Sequence, residues 1–147
     1  MRVVVQRVKS ASVAVEGDTI GQIDRGLLVL AGFTDGDGPE QLAWMAKKLI
    51  GLRIFEDADG KMNLAVGDVE GSLLLVPNFT LYADCRKGRR PGFSEAADPA
   101  VAEGLFAQFC TLMQESPVPV AKGDFGAYMQ ISLENDGPVT LVIDSPD

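Results

Sequence analysis

Residues Leu27 to Phe33 read LLVLAGF, an apolar run with no polar break. A strand with one wet face would alternate, so this run reads as a β-strand covered on both faces. Before it, Val3 to Val8 and Ser12 to Glu16 alternate as strands, and Gly17-Asp18 forms the turn into a strand from Thr19 to Ile23. After it, Asp37-Gly38-Pro39-Glu40 starts a helix. Leu42, Met45, Ala46, Leu49 and Ile50 recur at helical spacing, and Gly51 ends the pattern. Arg53 to Phe55 predicts a short strand, and the following EDADGK a tight turn. Gly60 comes too early for a calcium loop of the EF-hand type, and no Glu closes one. Ser72 to Leu81 is the next predicted strand. Asp98-Pro99 opens a second helix, with Val101, Leu105, Phe109, Leu112 and Met113 on one face and Pro117 and Pro119 closing it. Tyr128 to Leu133 and Val139 to Ile143 are the last predicted strands, with Asn135-Asp136-Gly137-Pro138 read as a turn. Without repeats or linkers, the expectation is one α+β domain over residues 1–147, a curved barrel-like sheet with two packed helices.

Composition narrows the chemistry. The chain has 147 residues, 46% of them hydrophobic, and net charge −8. No apolar run reaches the roughly 18–20 residues of a membrane helix, and MRVVVQRV alternates like a strand rather than a signal peptide. Cys85 and Cys110 are too few for a disulfide scaffold, which fits a reducing cytoplasm and no membrane partner. Acidity argues against a general nucleic-acid coat and against DNA as a partner, so any RNA is met through a local patch. The chain has no histidine. That excludes Ser-His-Asp and Cys-His nucleophile systems, His-ligated zinc and imidazole bases. Catalysis must rest on backbone groups, hydroxyls, carboxylates, cations or the substrate itself, with no metal and no cofactor expected.

The local patch is Val76 to Phe93, VPNFTLYADCRKGRRPGF, an apolar run followed by Arg86, Lys87, Arg89 and Arg90 around Gly88. Exposed cations packed so closely repel one another, and an anion is their natural partner. Gly88 and Pro91 imply a shaped loop, so the segment reads as a phosphate-facing loop placed directly after a strand. Thr80 is the nearby hydroxyl but lacks a base, and a strand Thr is commonly there for β propensity. Cys85 lies between Asp84 and Arg86, which act on a thiol in opposite directions. Asn78 can orient a substrate group, and the amides of Asn78, Phe79 and Thr80 would make an oxyanion hole if the strand ends or bulges there. At Gly137-Pro138 the plain reading is a hairpin turn. A cis bond there would instead present consecutive carbonyls in one direction.

Nearly end to end, the chain resembles the D-aminoacyl-tRNA deacylases of bacteria and eukaryotes. The resemblance covers MRVVVQRVKSASVAVEG, GLLVLAGF, LRIFEDADGKMNLAV, NFTLYAD, RKGRRPGFSEAA and FGAYMQISLENDGPVTLVID, with RKGRRP and NDGPVT the most specific. It implies a homodimer that hydrolyses the ester between a D-amino acid and the tRNA 3′-terminal adenosine, and that also removes mischarged glycine. Gly137-Pro138 would be the family's Gly-cis-Pro motif, inserted from one subunit into the other's active site. There its carbonyl oxygens would occupy the space of an L side chain and reach the substrate amino group. Backbone amides near Phe79 and Thr80 would fix the ester carbonyl, and the terminal 2′-hydroxyl would take part in catalysis. Phe79 and Pro77 would wall the amino-acid pocket, with Phe125, Ala127 and Met129 near the adenosine. Arg86, Lys87, Arg89 and Arg90 would meet acceptor-stem phosphates.

The chain departs from the family at Pro77-Asn78, where Ser-Gln is usual before Phe-Thr-Leu. Proline removes a hydroxyl and an amide donor, and asparagine is one methylene shorter than glutamine. A related animal deacylase that clears L-alanine from a threonine tRNA carries proline at the first of these positions but alanine in place of phenylalanine. Two alternatives follow: a relaxed editing deacylase acting on a small L-amino acid such as alanine, or a tRNA-binding protein that has lost catalysis.

Overall fold

The computed structural model describes residues 1–147. Its elements are β1 (Arg2–Val15), β2 (Asp18–Ile23), β3 (Gly26–Gly32), α1 (Pro39–Gly51), β4 (Phe55–Glu56), β5 (Met62–Leu64), β6 (Ser72–Pro77), α2 (Pro99–Gln114), β7 (Val120–Lys122) and β8 (Gln130–Asp144). Single 3₁₀ turns span Val66–Val69 and Phe79–Tyr82. The main sheet runs β2-β1-β3-β6-β7, with β8 also on β1, while β4 and β5 pair separately.

The LLVLAGF run is the middle of this sheet. As β3 it pairs antiparallel with β1 and parallel with β6, and its residues feed two cores in turn. Leu27, Val29 and Ala31 pack with Val3, Val5, Leu73 and Leu75 against Leu42, Met45 and Leu49 of α1 and Phe109 and Met113 of α2. Leu28 points the other way, into a core with Val8, Val13, Ile23, Leu74 and Val76. Both faces of β3 and β6 are therefore dry, which is why those strands show no alternation. Phe109 is fully buried among the helices, and Phe109→Ala is expected to cost about 3–5 kcal/mol.

The sheet curves because β1 changes partners along its length. Arg2–Val8 pairs with β3 and Ala11–Val15 with β2, while β8 follows the other edge throughout. β2 is thereby carried over the second core to meet β6 and β7. At Gly21 a Cβ would lie 3.0 Å from the Lys122 carbonyl oxygen and 3.3 Å from Leu74 Cδ1. The barrel-like sheet nearly closes there, on a residue without a side chain. The α+β expectation, with two helices against a curved sheet, matches this architecture.

Several boundaries differ from the sequence reading. The strands expected at Val3–Val8 and Ser12–Glu16 are one strand, because the pairing with β8 shifts register at Lys9 but resumes at Ser10. The strand expected to reach Leu81 stops at Pro77 and gives way to a 3₁₀ turn. The strand placed at Arg53–Phe55 is Phe55–Glu56. β5 and β7, three residues each, are too short to show a period and went unpredicted. EDADGK is a tight turn in which Asp57 Oδ1 accepts from the amides of Asp59 and Lys61. Asn135–Pro138 is not a hairpin turn. Both flanking segments pair with β1, Asn135 opposite Val8 and Thr140 opposite Gln6, so Asp136–Val139 bulges out opposite Arg7.

Candidate active site

β6 and the segment after β7 run side by side, and where both leave the sheet a cleft opens. Its volume is about 1020 Å³. One wall is Val76–Thr80, another is Phe125–Met129, and the first turn of α2 with the loop before it closes the third side. Pro77, Asn78, Phe79, Thr80, Phe125, Ala127 and Met129 all line it.

The Val76–Thr80 wall is shaped by the end of a ladder. The Asn78 amide donates to the Ala31 carbonyl at 2.8 Å, the last bond β6 makes to β3. Successive strand N–H groups point to opposite sides, so a donor at position 77 would face β7, whose strand has already ended at Lys122. Proline is tolerated there because no ladder bond is lost, and its ring packs near Gly123. Asn78 then caps the 3₁₀ turn: its Oδ1 accepts from the Thr80 amide at 3.2 Å and the Thr80 hydroxyl at 2.5 Å. Thr80 thus lies in a turn rather than a strand, and its hydroxyl donates to Asn78 rather than to a base. The Phe79 amide, first in the turn, has no acceptor within it. The Phe79 side chain is 57% exposed and meets Phe93 edge-on, ring centroids 5.0 Å apart.

Phe125 serves two roles, packing on Phe106 at 6.4 Å between centroids while lining the cleft. Asp35, Phe93, Ser94, Asp98 and Tyr128 also line it, although the sequence reading assigned none of them to the site. Tyr128, expected to begin a strand, instead precedes β8 and is 87% exposed on the cleft wall. No three of the chain's carboxylates and cysteines converge to hold a metal ion.

The basic loop leaves the rim of the cleft. Asp84 and Gly92 exchange backbone hydrogen bonds at 2.7 and 2.9 Å and pinch Cys85–Pro91 into a closed loop, with Gly88 at φ 66°. A 3₁₀ turn separates this loop from β6, so it does not follow the strand directly. Arg86 already has an anion: its Nε and a terminal nitrogen donate to the two Asp84 carboxylate oxygens, each at 2.8 Å. That guanidinium holds the Asp84 carboxyl down at about 2. Lys87, Arg89 and Arg90 are exposed and take part in none of the chain's ion pairs.

Gly137 and Pro138 lie apart from their own chain's cleft. They are exposed on the β8 bulge, and the bond between them is cis. The bulge is held from beneath. Asn135 closes it by donating to the Val139 carbonyl at 3.1 Å and accepting from the Val139 amide at 2.9 Å. Arg7 donates from Nε to the Asp136 carbonyl at 2.8 Å and from a terminal nitrogen to the Ile54 carbonyl at 2.6 Å. The signal for Arg7 was in the sequence: it shares the inward face of β1 with Val3 and Val5, where a charge needs partners.

The family model described as D-Tyr-tRNA(Tyr) deacylase matches residues 4–144. The chain belongs to that family. It is accordingly an enzyme of the hydrolase class. It is 54% identical to the D-aminoacyl-tRNA deacylase of Thermosipho africanus over 99% of this chain and 97% of that one. With the D-aminoacyl-tRNA deacylase of Chloroherpeton thalassium it is 55% identical, again over 99% of this chain and 97% of the other. Among solved structures, the c-Myc DNA Unwinding Element Binding Protein superposes with TM-score 0.94 at 41% identity, covering 100% of both chains. A probable eukaryotic D-amino acid tRNA deacylase shares the fold, with TM-score 0.82 at 21% identity and 97% of each chain covered.

Proposed function

We propose that the chain hydrolyses the ester joining a D-amino acid, or glycine, to the 3′-terminal adenosine of tRNA, as a cytoplasmic homodimer that uses no metal or cofactor. The observation that carries the reading is a separation within one subunit. The turn at Asn78–Thr80 and the wall at Phe125–Met129 face one cleft, while Gly137-Pro138 stands exposed outside it. A second copy of the chain can therefore bring its Gly137-Pro138 into that cleft. The apolar groups that β8 leaves exposed, Ile131, Leu133 and Val142, and its unpaired outer edge give such a copy a surface to cover.

In this reading the ester carbonyl lies against the Phe79 amide, which has no acceptor in the turn, with the Thr80 amide reaching it by sharing its bond to Asn78 Oδ1, and the adenosine lies against Phe125, Ala127 and Met129. Water adds to the carbonyl carbon and the C–O bond to the ribose breaks. The 3′-oxygen leaves with a proton, giving a free amino acid and an intact tRNA end. Charge develops on the carbonyl oxygen, where each backbone donor is worth about 3 kcal/mol. The chain has no histidine, and in this reading the neighbouring ribose 2′-hydroxyl relays the proton. An L side chain would meet the carbonyl oxygens of the partner's Gly137 and Pro138, a D side chain points away, and glycine presents nothing to exclude.

Lys87, Arg89 and Arg90 would contact acceptor-stem phosphates, with Arg86 already engaged by Asp84. The likeness to a DNA-element-binding protein brings no DNA partner here. Lys87, Arg89 and Arg90 are three cations in one short loop on a chain of net charge −8.

The test is deacylation of D-Tyr-tRNA and L-Tyr-tRNA by the purified protein. Selective loss of the D ester is expected, whereas equal loss of both, or loss of neither, would overturn the reading. L-Ala-tRNA is the arm for the relaxed alternative, whose motive is Pro77. Cleavage at a rate near that of Gly-tRNA, abolished by Pro77→Ser with Asn78→Gln, would favour it.

A further inference from the structure

Arg2 binds a residue of the cleft-forming turn without lining the cleft itself. One terminal nitrogen donates to the Leu81 carbonyl at 3.0 Å, and its Cζ sits 5.0 Å from the centroid of the Tyr82 ring. Its Nε donates to Asp144 Oδ1 at 2.7 Å, so the guanidinium is oriented from the last residue of β8. All three contacts belong to one planar group, and its fork holds it in a single orientation.

Beneath the same turn lies Gly32, opposite Arg2 in the β1–β3 register. A Cβ on Gly32 would lie 3.0 Å from the Asn78 carbonyl oxygen, 3.1 Å from Leu81 Cβ and 3.3 Å from Tyr82 Cδ2. The Phe79–Tyr82 turn therefore rests directly on bare sheet backbone and is strapped down from its far end by Arg2. A single 3₁₀ turn has poor internal hydrogen-bond geometry, so its orientation depends on such outside contacts. The Arg2–Asp144 pair is partly solvent-exposed and contributes little to stability as an ion pair. What it contributes is placement.

We propose that Arg2, set by Asp144, is a positioning residue that fixes the Phe79–Tyr82 turn so that the unengaged Phe79 amide points at the ester carbonyl. The inference rests on the deacylase reading above. Arg2 itself touches neither substrate nor reacting atoms.

The experiment compares wild type, Arg2→Ala, Arg2→Lys and Asp144→Asn on D-Tyr-tRNA and on the minimal ester D-Tyr-adenosine. Thermal melts confirm the folded fraction of each variant. Arg2→Ala is expected to lower kcat by roughly tenfold to a hundredfold, the scale of a misplaced catalytic group, with KM for D-Tyr-tRNA within about twofold. The loss should be equal on both substrates, because the chemistry rather than tRNA contact is affected. Arg2→Lys and Asp144→Asn should fall between wild type and Arg2→Ala. If wild type is active and folded Arg2→Ala keeps its kcat, the inference fails alone. A loss confined to KM on tRNA would also refute it, since Arg2 would then be a tRNA contact. An inactive wild type would bring down the deacylase reading and this inference with it.

Discussion

Arg7 and Asp136 join β1 to the base of the Gly137-Pro138 bulge: the guanidinium Nε donates to the Asp136 carbonyl at 2.8 Å, and the two side chains lie 3.8 Å apart. The same guanidinium reaches the Ile54 carbonyl, so it ties the bulge to the segment before β4. Arg7 is the chain's one buried charged residue, at 6% exposure. Arg7→Ala leaves two inward carbonyls without a donor, at about 1–3 kcal/mol each. Urea unfolding should show a loss within that range or its sum, and hydrolysis of L-Tyr-tRNA should rise relative to D-Tyr-tRNA as the bulge loosens. A loss below about 0.5 kcal/mol would mean that water replaces the guanidinium at no cost.

Asn78 and Thr80 divide a role that the sequence offered to either. Because the Thr80 hydroxyl donates to Asn78 and meets no base, Thr80→Val should lower kcat by less than about tenfold. Asn78→Ala removes the acceptor for both the Thr80 amide and hydroxyl, losing a cap worth about 1 kcal/mol and releasing the turn. Its kcat should fall further than that of Thr80→Val. The reverse order in single-turnover assays would make the Thr80 hydroxyl a participant in the chemistry.

Asp84 withholds Arg86 from solution anions. Asp84→Asn should free that guanidinium and steepen the slope of log affinity for tRNA against log salt by about one, while Arg89→Ala should flatten it by about one. The pH sign follows from the lowered carboxyl. Its folded value of about 2 lies below the unfolded 3.8, so the pair is intact above that range and is lost as pH falls toward 2. Titration of Asp84 therefore adds no pH dependence to tRNA binding between pH 5 and 8. Filter binding at several salt concentrations checks both variants.

What the sequence made legible was the part written in periodicity. The dry middle strand at Leu27–Phe33, the amphipathic helix from Leu42 and the Asp98-Pro99 helix start each have a local cause, and each stands in the structure. The cleft was less legible because its walls come from contacts between distant segments. Proline fits at the end of β6 because β7 has already ended at Lys122, opposite Leu75, and Val120–Lys122 carries no signal of its own. The bulge at Asp136–Val139 looked like a hairpin because Asn-Asp-Gly-Pro is turn chemistry in either setting. Only β1, running on past it, decides that the chain does not reverse. Arg86 appeared free by charge counting, whereas Asp84, two residues earlier, already neutralises it.

Burial sets the alkaline limit of the fold. Desolvation pushes the Cys110 thiol up to about 11 from 9.0 and the Tyr82 hydroxyl up to about 12 from 10.0. For both groups the folded state holds its proton more tightly than the unfolded chain. Stability is therefore fully present below pH 9 and declines as pH rises through the range from 9 to 12. Cys110 is on the buried face of α2, while Cys85 is exposed in the basic loop. A thiol reagent at pH 8 should thus modify Cys85 alone in the native protein, and both cysteines in denaturant. Urea midpoints should hold steady between pH 7 and 8.5 and fall above pH 9.5. Cys110→Ala should remove the lower part of that fall at the cost of a small cavity. If its midpoint declined along the same curve as wild type, the thiol would not be the group responsible.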